Sequence, residues 1–286
     1  MRDPAHTQSV TLLLLAALCW SLGGVLLKSV AWPPLAVAGG RGLVAAVFLL
    51  AVTWRRRPFR GGWLPLATAV AYTACTVLFA AANKLTTAAN AILLQYTAPA
   101  YVALLGAWLL KERPTRADWT TIAIVFVGLA VFLYDGLRLN DLAGIALAVA
   151  SGVAFALMIV LLRLQKDDIP LGSIILGNFL GFLIGLPAIV SAPAPDARSL
   201  VALLLLGVVQ LGVAYLLYAR AIRHVTALEA VLIPVIEPIL NPLWVMLVLG
   251  EKPSGLALLG GAIVLGAVTW RAAASIRRPP PAALPS

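Results

Sequence analysis

Two short stretches of the sequence, WLLKERPT at residues 108–115 and LVLGEKPS at residues 247–254, are nearly the same. Each closes a long apolar run, and each carries a glutamate, a basic residue and a proline in the same order. A phrase that recurs at a fixed distance is the signature of an internal repeat. The two phrases therefore indicate a duplication that extends beyond these eight residues.

A shift of 139 positions brings the two phrases into register and aligns Glu112 with Glu251. The same shift aligns Pro99 with Pro238, so the match extends back through a whole apolar segment. A weaker match, at a slightly different shift, relates residues 20–28 to residues 155–163. We interpret the chain as a duplication of one long unit.

The composition places the chain in a membrane. Of its 286 residues, 62% are hydrophobic and 11% are charged, and the mean hydropathy is +1.00. Globular proteins are about 45–50% apolar and about 25% charged. Apolar runs continue as far as Trp270, so a signal peptide does not explain them. The net charge of +10 lies in short loops between apolar runs, which argues against nucleic acid as a partner and for the lipid bilayer.

Ten stretches are long and apolar enough to cross a bilayer, which requires about 20 residues per helix. They lie near residues 10–31, 35–54, 63–83, 86–110, 117–134, 142–163, 171–190, 200–220, 225–249 and 256–275. The interruptions between them are short, charged or turn-forming, and leave no room for a soluble domain. The sequence thus predicts an all-α integral membrane protein with ten transmembrane helices, followed by a disordered cytoplasmic tail at residues 277–286.

The basic residues predict the orientation. With a cytoplasmic N-terminus, 15 of the 21 Lys and Arg residues lie inside, and only Lys28, Lys84, Arg138, Arg198 and Lys252 lie outside. This bias favours cytoplasmic N- and C-termini in a multi-pass protein of the cell's inner membrane. Tryptophans at the ends of the spans are expected to anchor in the interface, and these are Trp32, Trp54, Trp63, Trp119 and Trp270.

The number of spans per unit decides how the two copies are related. A unit of five spans that begins inside ends outside, so its copy must run in the opposite direction. We expect two inverted five-helix repeats, at residues 1–137 and 138–276, around a central cavity. Inverted repeats of this kind are typical of secondary transporters that work by alternating access.

The chain also resembles a known family. The features that carry the resemblance are the early CWSLGGVLLK at residues 19–28, the arginine in GGRGLVA at residues 39–45, and the KERP and GEKP phrases that end the fourth and ninth spans. Together they resemble the EamA group of the drug/metabolite transporter superfamily, and within it the YddG-type exporters of aromatic and other neutral amino acids. The resemblance implies a basket of ten helices, export from the cytoplasm, a small-molecule substrate and no cofactor. A monomer is expected.

Glu237 is the sharpest candidate for a functional residue. It lies about halfway along the ninth span, where a polar group is costly and usually functional. Pro234, Pro238 and Pro242 surround it and are expected to break the helix, as is Pro99 in the fourth span. We expect the carboxylate either to hold a substrate ammonium or to cycle a proton. An ion pair or hydrogen bond between helices is the structural alternative.

Helical periodicity adds further candidates that face the same cavity. The substrate-binding candidates besides Glu237 are Trp20, Ser21, Tyr72, Phe79, Asn90, Thr97, Tyr101, Gln210, Tyr215, Asn241 and Trp244. Trp108 falls on the same predicted face of the fourth span as Tyr101. Arg41 is expected to extend towards the outer surface, and Gln95 and Asn178 to form hydrogen bonds between helices. Cys19 and Cys75 lie in apolar runs and suggest neither a disulfide nor a metal site.

Other functions remain open from the residues alone. The runner-up substrates are organic cations or drugs, and small metabolites such as phosphorylated or nucleotide-linked sugars. An integral-membrane enzyme would need a catalytic cluster, and the two histidines, His6 and His224, are far apart in sequence. A channel is disfavoured by the inverted repeat with its proline-broken helices.

Overall fold

The fold is known from a computed structural model, which describes residues 4–56, 59, 61–134, 142–166, 170–250 and 254–276. Within these residues all regular structure is helical, as the sequence predicts. There are ten helical segments, some of them interrupted. They are α1 (Pro4–Ser29), α2 (Pro34–Thr53), α3 (Trp63–Leu85), α4 (Ala88–Leu110), α5 (Arg116–Tyr134), α6 (Leu142–Leu164), α7 (Leu171–Ser191), α8 (Ala197–Ala221), α9 (Ala227–Leu249) and α10 (Gly255–Ile276).

Eight of the ten described helices are long and apolar enough to cross a membrane by length and composition. The two others are α5 and α10, which pack against each other. The Nε–H of Arg271 in α10 donates a hydrogen bond to the carboxylate of Asp118 at the start of α5. The apolar part of α10 is shorter, at residues 258–271. The crossing of the bilayer by α5 and α10 therefore stays a prediction.

The helices pair as two duplicated halves should pair. Helices α2 and α7 occupy equivalent places in the two halves and pack against each other, and so do α5 and α10. The first and third helices of each half follow the same rule. The third helix of one half packs on the first helix of the other, since α3 packs on α6 and α8 packs on α1. A twofold relation between the halves produces this pattern.

Helices α4 and α9 are interrupted at equivalent positions. The α-helix of α4 stops at Gln95 and resumes at Ala98. In α9 a short 3₁₀ segment at Ile233–Ile236 separates two α-helical parts. The shift of 139 residues places the interruption of α4 within that of α9. The cause is local, because each interruption is followed by a proline whose backbone cannot donate a hydrogen bond.

The N-terminal caps of α4 and α9 are equivalent too. The side chain of Thr87 accepts a hydrogen bond from the backbone N–H of Asn90, at 3.1 Å. Thr226, which lies 139 positions later, accepts one from Glu229, also at 3.1 Å. In return, the carboxylate of Glu229 accepts a hydrogen bond from the backbone N–H of Thr226, at 2.9 Å, which completes a capping box. The two copies thus begin their broken helices in the same way.

The KERP phrase of the first copy joins the end of α4 to the beginning of α9. The Nε–H of Arg163, at the end of α6, donates to Glu112 at 3.1 Å. The backbone N–H of Ala227, in the first turn of α9, donates to the other oxygen of Glu112 at 2.8 Å. The end of α4 therefore meets the start of α9, so these two equivalent helices run in opposite directions. Glu251 and Pro253 of the second phrase lie outside the described residues.

We call the end of the bundle that carries His6, Glu112 and Ala227 the N-terminal face. The ring of His6 lies 3.4 Å from the carboxylate of Glu229 and links the starts of α1 and α9 there. At the opposite face, the indole N–H of Trp32 donates to the carbonyl of Pro193 at 2.9 Å. The indoles of Trp54, Trp63, Trp119 and Trp270 are exposed, as interface anchors require.

Asp196 begins α8 at the face opposite the N-terminal face. Its carboxylate accepts a hydrogen bond from the backbone N–H of Ser199, at 2.7 Å. Hydrogen bonding by Ser199 lowers the pKa of this carboxyl below its ordinary value. The hydroxyl of Ser199 also accepts a hydrogen bond from the backbone of Ala31, which fixes the connection between α1 and α2 against the start of α8.

Candidate functional site

A cavity lies at the centre of the bundle, beside the interruptions of α4 and α9. Its volume is about 30 Å³. A cavity needs about 10–15 Å³ to hold one water molecule, and small-molecule sites measure about 300–1,000 Å³. It is lined by Trp20, Arg41, Cys75, Thr76, Phe79, Gln95, Phe155, Gln210, Leu211, Tyr215 and Glu237. An organic substrate could therefore enter only after the surrounding helices move apart.

Glu237 lines the cavity and lies where α9 changes from a 3₁₀ helix to an α-helix. It is only 5% exposed. The hydroxyl of Tyr96 lies 3.1 Å from its carboxyl group and 2.9 Å from the carbonyl oxygen of Pro234. A tyrosine hydroxyl carries one proton, so it donates fully to only one of these two acceptors. The Glu237 carboxyl is thus left with unused hydrogen-bonding capacity beside the cavity.

Arg41 corrects a prediction from the sequence. It does not extend towards the surface but is only 1% exposed and lines the cavity. Its guanidinium donates to the side-chain oxygen of Gln210 at 3.2 Å and to the backbone carbonyl of Thr76. Extension to the interface requires a side chain on the lipid-facing side of its helix. Arg41 instead lies on the side of α2 that packs against α3 and α8.

Aromatic rings form a continuous cluster along one side of the cavity. The ring of Trp20 lies 5.2 Å from the rings of both Tyr215 and Tyr218, and 6.4 Å from that of Phe155. Tyr72 extends the cluster, with its ring 4.8 Å from that of Tyr215. The contact between Trp20 and Tyr218 is tilted, and the three others are edge-to-face, which is favourable at these distances. The indole N–H of Trp20 and the hydroxyl of Tyr218 are buried without a hydrogen-bond partner among the described residues.

The cavity brings together five of the residues that the sequence nominates. They come from α1, α3, α8 and α9, and are Trp20, Phe79, Gln210, Tyr215 and Glu237. Helix α4 contributes Gln95, and α2 and α6 also border the cavity. The interrupted helices α4 and α9, and the equivalent pair α3 and α8, thus border one cavity. Binding of substrate by these residues stays a prediction.

Four other candidates lie close to the cavity but do not line it. Tyr72 is completely buried, and its hydroxyl accepts a hydrogen bond from Asn178 of α7 at 2.8 Å. Ser21 and Trp244 pair with each other, since the indole N–H donates to the serine hydroxyl at 3.0 Å. Asn241 is buried against Gly24, where an added Cβ would clash with its amide.

Helix α4 carries three further candidates outside the cavity. Asn90 belongs to the capped first turn, and Thr97 donates its hydroxyl proton to the carbonyl of Leu94 at 2.8 Å. Tyr101 is half-buried against the hydrophobic core. Trp108 does not face the cavity as its periodicity predicts, because it is 77% exposed. It lies in a π-helical turn at Gly106–Leu110, which has more residues per turn than an α-helix and therefore rotates the side chains within it and after it.

The prolines divide into two groups. Pro99, Pro234 and Pro238 lie at the interruptions of α4 and α9, as predicted. Pro242 does not break the chain's course, because the α-helix Glu237–Leu249 continues through it. An interior proline removes one backbone hydrogen bond, and here the carbonyl concerned belongs to Pro238.

Sequence reasoning missed part of the lining. Cys75, Thr76, Phe155 and Leu211 line the cavity but were not nominated, and Tyr96 contacts Glu237 directly. Gln95 forms the predicted hydrogen bond between helices, with Ser151 of α6 at 2.7 Å, and also lines the cavity. The available signal for Tyr96 was its position in the fourth span, three residues before Pro99. The weaker internal match aligns Phe155 with Trp20, and this was the available signal for Phe155, whereas no feature of the sequence distinguishes Leu211 from an ordinary core residue.

The part of the chain that the structure describes contains no group of three or more His, Cys, Asp and Glu side chains that could hold a metal ion. Both cysteines are free.

The residues that line the cavity carry eight polar side-chain groups. These are one carboxyl, one guanidinium, two amides, one hydroxyl of threonine and one of tyrosine, a thiol and an indole N–H.

Comparison with known proteins gives the family. The model of the EamA-like transporter family matches residues 7–134 and again residues 142–270. An uncharacterised protein of Pseudomonas aeruginosa is 30% identical over 247 residues, which cover 81% of this chain and 84% of that protein. The uncharacterised transporter YwfM of Bacillus subtilis is 24% identical over 264 residues, covering 88% and 89% of the two chains. An uncharacterised transporter of Archaeoglobus fulgidus is 26% identical over 254 residues, covering 82% and 86%.

A solved crystal structure shares the fold. It superimposes with a TM-score of 0.77 at 20% identity and covers 95% of this chain and 98% of the other. The family model matches each half of the chain once, which agrees with two repeats in one membrane fold. The chain is therefore an integral membrane transporter that belongs to the EamA-like transporter family.

Proposed function

We propose that the protein is a secondary transporter that exports amino acids, aromatic and other neutral ones, by alternating access. The observation that carries the proposal is the carboxyl group of Glu237 in an aromatic-lined cavity where the two broken helices meet. A buried carboxylate binds an ammonium group strongly, because a charge-assisted hydrogen bond is about twice as strong as a neutral one. The rings of Trp20, Phe79, Phe155 and Tyr215 offer an apolar surface for a side chain.

The small volume of the cavity supports a mechanism in which the helices move. With a volume of about 30 Å³ it is too small for an amino acid, so binding and release require an opening on one side. At the N-terminal face, Glu112 joins α4 to α6 and α9 through Arg163 and Ala227. These contacts would have to separate for the cavity to open at that face. Rocking of one repeat against the other is the motion expected of an inverted-repeat transporter.

The central test is uptake of labelled amino acids into liposomes that contain the purified protein. We expect uptake of aromatic and other neutral amino acids with modest selectivity among side chains, because an apolar pocket discriminates one methylene by only about 1–3 kcal/mol. Imposing a pH gradient then separates proton antiport from facilitated diffusion. Liposomes that take up none of these amino acids would reject the substrate proposal and leave the family assignment untouched.

Alternating access has a direct test, because the chain has only two cysteines and Cys75 lines the cavity. In a Cys19→Ser background, a membrane-impermeant thiol reagent added from either side reports when Cys75 becomes accessible. We expect labelling from both sides in turn, and protection by a transported amino acid. Labelling from one side only, under all conditions, would argue against alternating access.

The predicted orientation is tested separately. A reporter fused after Ser286 should show cytoplasmic activity, since both termini are expected inside. Activity of the reporter on the opposite side would overturn the orientation, and with it the direction of transport.

Organic cations are the second candidate substrates. The favouring observation is again Glu237, whose carboxylate would bind a cation beside the aromatic cluster. The liposome assay decides between them when labelled amines compete with the amino acids. Competition by amines alone would favour the cation exporter.

A further inference from the structure

Arg41 is a buried cation whose partners in the structure are all neutral. It lies in the middle of the bundle and is only 1% exposed. Its guanidinium donates to the amide oxygen of Gln210 and to the backbone carbonyl of Thr76. Its Nε–H is buried without any hydrogen-bond partner among the described residues. No described carboxylate forms an ion pair with it.

An unpaired buried charge is unfavourable unless something compensates it. Removing an ion from water costs several kcal/mol even after the protein relaxes. The other described arginines that are buried or partly buried are paired, Arg163 with Glu112 and Arg271 with Asp118. Arg41 is the exception among these three, and it is the one that lines the cavity. This placement indicates that its anionic partner is a ligand.

Arg41 and Glu237 present opposite charges to one cavity. Both line it, yet they form no ion pair with each other within the described structure. Among the described residues, Glu237 has only the neutral Tyr96 hydroxyl as a side-chain hydrogen-bond partner, which leaves acceptor capacity unused. A ligand with a negative and a positive group would satisfy both residues at once.

The indole N–H of Trp20 is a second unused donor at the same cavity. A carboxylate accepts hydrogen bonds at both of its oxygens. The planar guanidinium donates two parallel hydrogen bonds that match this geometry. A phosphate ester suits the site less well, because its second negative charge would face the carboxyl of Glu237. The chemistry thus favours a carboxylate with an ammonium nearby.

We infer that Arg41 binds the carboxylate of the substrate while Glu237 binds its ammonium, so that the cavity selects zwitterionic α-amino acids over amines and over N-acylated acids. The inference rests on the proposed function, since it assigns the two ends of the substrate to two residues of the same site. Gln210 and the carbonyl of Thr76 then act as positioning groups that hold the guanidinium towards the cavity.

The test uses three ligands that differ in one charge each: phenylalanine, phenethylamine, which lacks the carboxylate, and N-acetylphenylalanine, which lacks the ammonium. Each competes with labelled phenylalanine for uptake by the reconstituted full-length protein. Wild-type protein should prefer phenylalanine over both analogues by about tenfold to a hundredfold, the value of a hydrogen bond to a charged group.

Variants should change these preferences in a crossed pattern. Arg41→Gln should lose the preference for phenylalanine over phenethylamine and keep the preference over N-acetylphenylalanine. Glu237→Gln should do the reverse. Arg41→Lys keeps the charge without the fork, so an intermediate preference is expected. Arg220→Gln is the matched control, because Arg220 is exposed at the end of α8, and its preferences should equal those of wild type.

Several results would overturn the inference. Arg41→Gln with wild-type preferences would make Arg41 structural, and wild-type protein that accepts phenethylamine as well as phenylalanine would remove carboxylate recognition. If the Arg41 variants do not fold, thermal stabilisation of wild-type protein by the three ligands decides, since only phenylalanine should raise the melting temperature strongly. Uptake or binding of none of the three by wild-type protein would instead reject the proposed function itself.

Discussion

Helices α4 and α9 are copies of one another, and their comparison separates what the duplication kept from what it changed. Both begin with a threonine cap, both are interrupted at equivalent positions, and both resume as α-helix one residue before equivalent prolines, Pro99 and Pro238. The chemistry at the interruption differs. The first copy supplies the hydroxyl of Tyr96 and the second supplies the carboxyl of Glu237, and these two groups contact each other.

The difference teaches that backbone geometry and site chemistry were free to vary separately. The prolines and caps act on the backbone, so they must stay for the helices to meet at the centre. The side chains beside the break need only fit the opposite copy. Position 98 carries alanine where position 237 carries glutamate, so the site has one carboxyl and not two. Two ionised carboxyl groups that shared one site would repel each other.

The largest effect is expected from Glu237→Gln, which makes the two copies alike in charge. If the carboxylate holds an ammonium, substrate affinity should fall by about tenfold or more, while any dependence on a pH gradient persists. If it carries a proton, binding survives and gradient-driven transport disappears. Liposome uptake with matched protein amounts distinguishes these results. Glu229→Gln at the start of the same helix is the control, since glutamine also completes a capping box. Normal transport by a well-folded Glu237→Gln protein would remove Glu237 from the site.

Tyr96→Phe should have the next largest effect, because it removes the one hydrogen bond that the described residues form between α4 and the carboxyl group of Glu237 in α9. The free energy of unfolding should fall by about 1–3 kcal/mol, the usual value for leaving a buried acceptor without its partner. Unfolding of the protein in mixed micelles, as the fraction of a denaturing detergent is raised, measures this free energy. Substrate affinity should change less than in Glu237→Gln. Tyr101→Phe on the same helix serves as the control. An unchanged stability would show that the two interruptions do not depend on each other.

The caps test the equivalence of the two copies more finely. Thr87→Ala and Thr226→Ala should each lower the free energy of unfolding by about 1 kcal/mol. The loss should be larger for Thr226, because its hydroxyl also donates a hydrogen bond to the carboxylate of Glu229, at 3.2 Å. The same unfolding assay compares them side by side. If only one of the two substitutions lowers the free energy of unfolding, the two caps contribute differently to stability and are not equivalent.

The smallest effect is expected from Glu112→Gln. Arg163 keeps its hydrogen bonds to the carbonyls of Ile222 and Arg223, so stability should change by at most about 1 kcal/mol. The weaker contact should nevertheless favour opening, and labelling of Cys75 from the N-terminal face should rise by up to about fivefold. Glu251→Gln should raise labelling from the opposite face, if the repeated phrase serves each end in turn. Equal labelling of both variants from both sides would contradict this symmetry.

The sequence predicted the family, the helical architecture and the two-repeat organisation, and these predictions are confirmed. It could do so because length, hydropathy and proline positions act along the chain itself. The interruptions of α4 and α9 follow from their prolines for the same reason. Glu237 stood out because a carboxylate in the middle of an apolar span is costly wherever the neighbouring helices lie.

The tertiary structure alone decided which side chains face the cavity. Arg41 was expected at the surface and lies at the centre, while Trp108 was expected at the centre and is exposed. Regular periodicity assigns faces within one helix, but a turn of π-helix or a break rotates every later residue, and the partners of a helix come from distant parts of the chain. The cavity is lined by seven helices drawn from both repeats. Which face of each helix meets that centre depends on packing between helices, and no local pattern in the sequence records it.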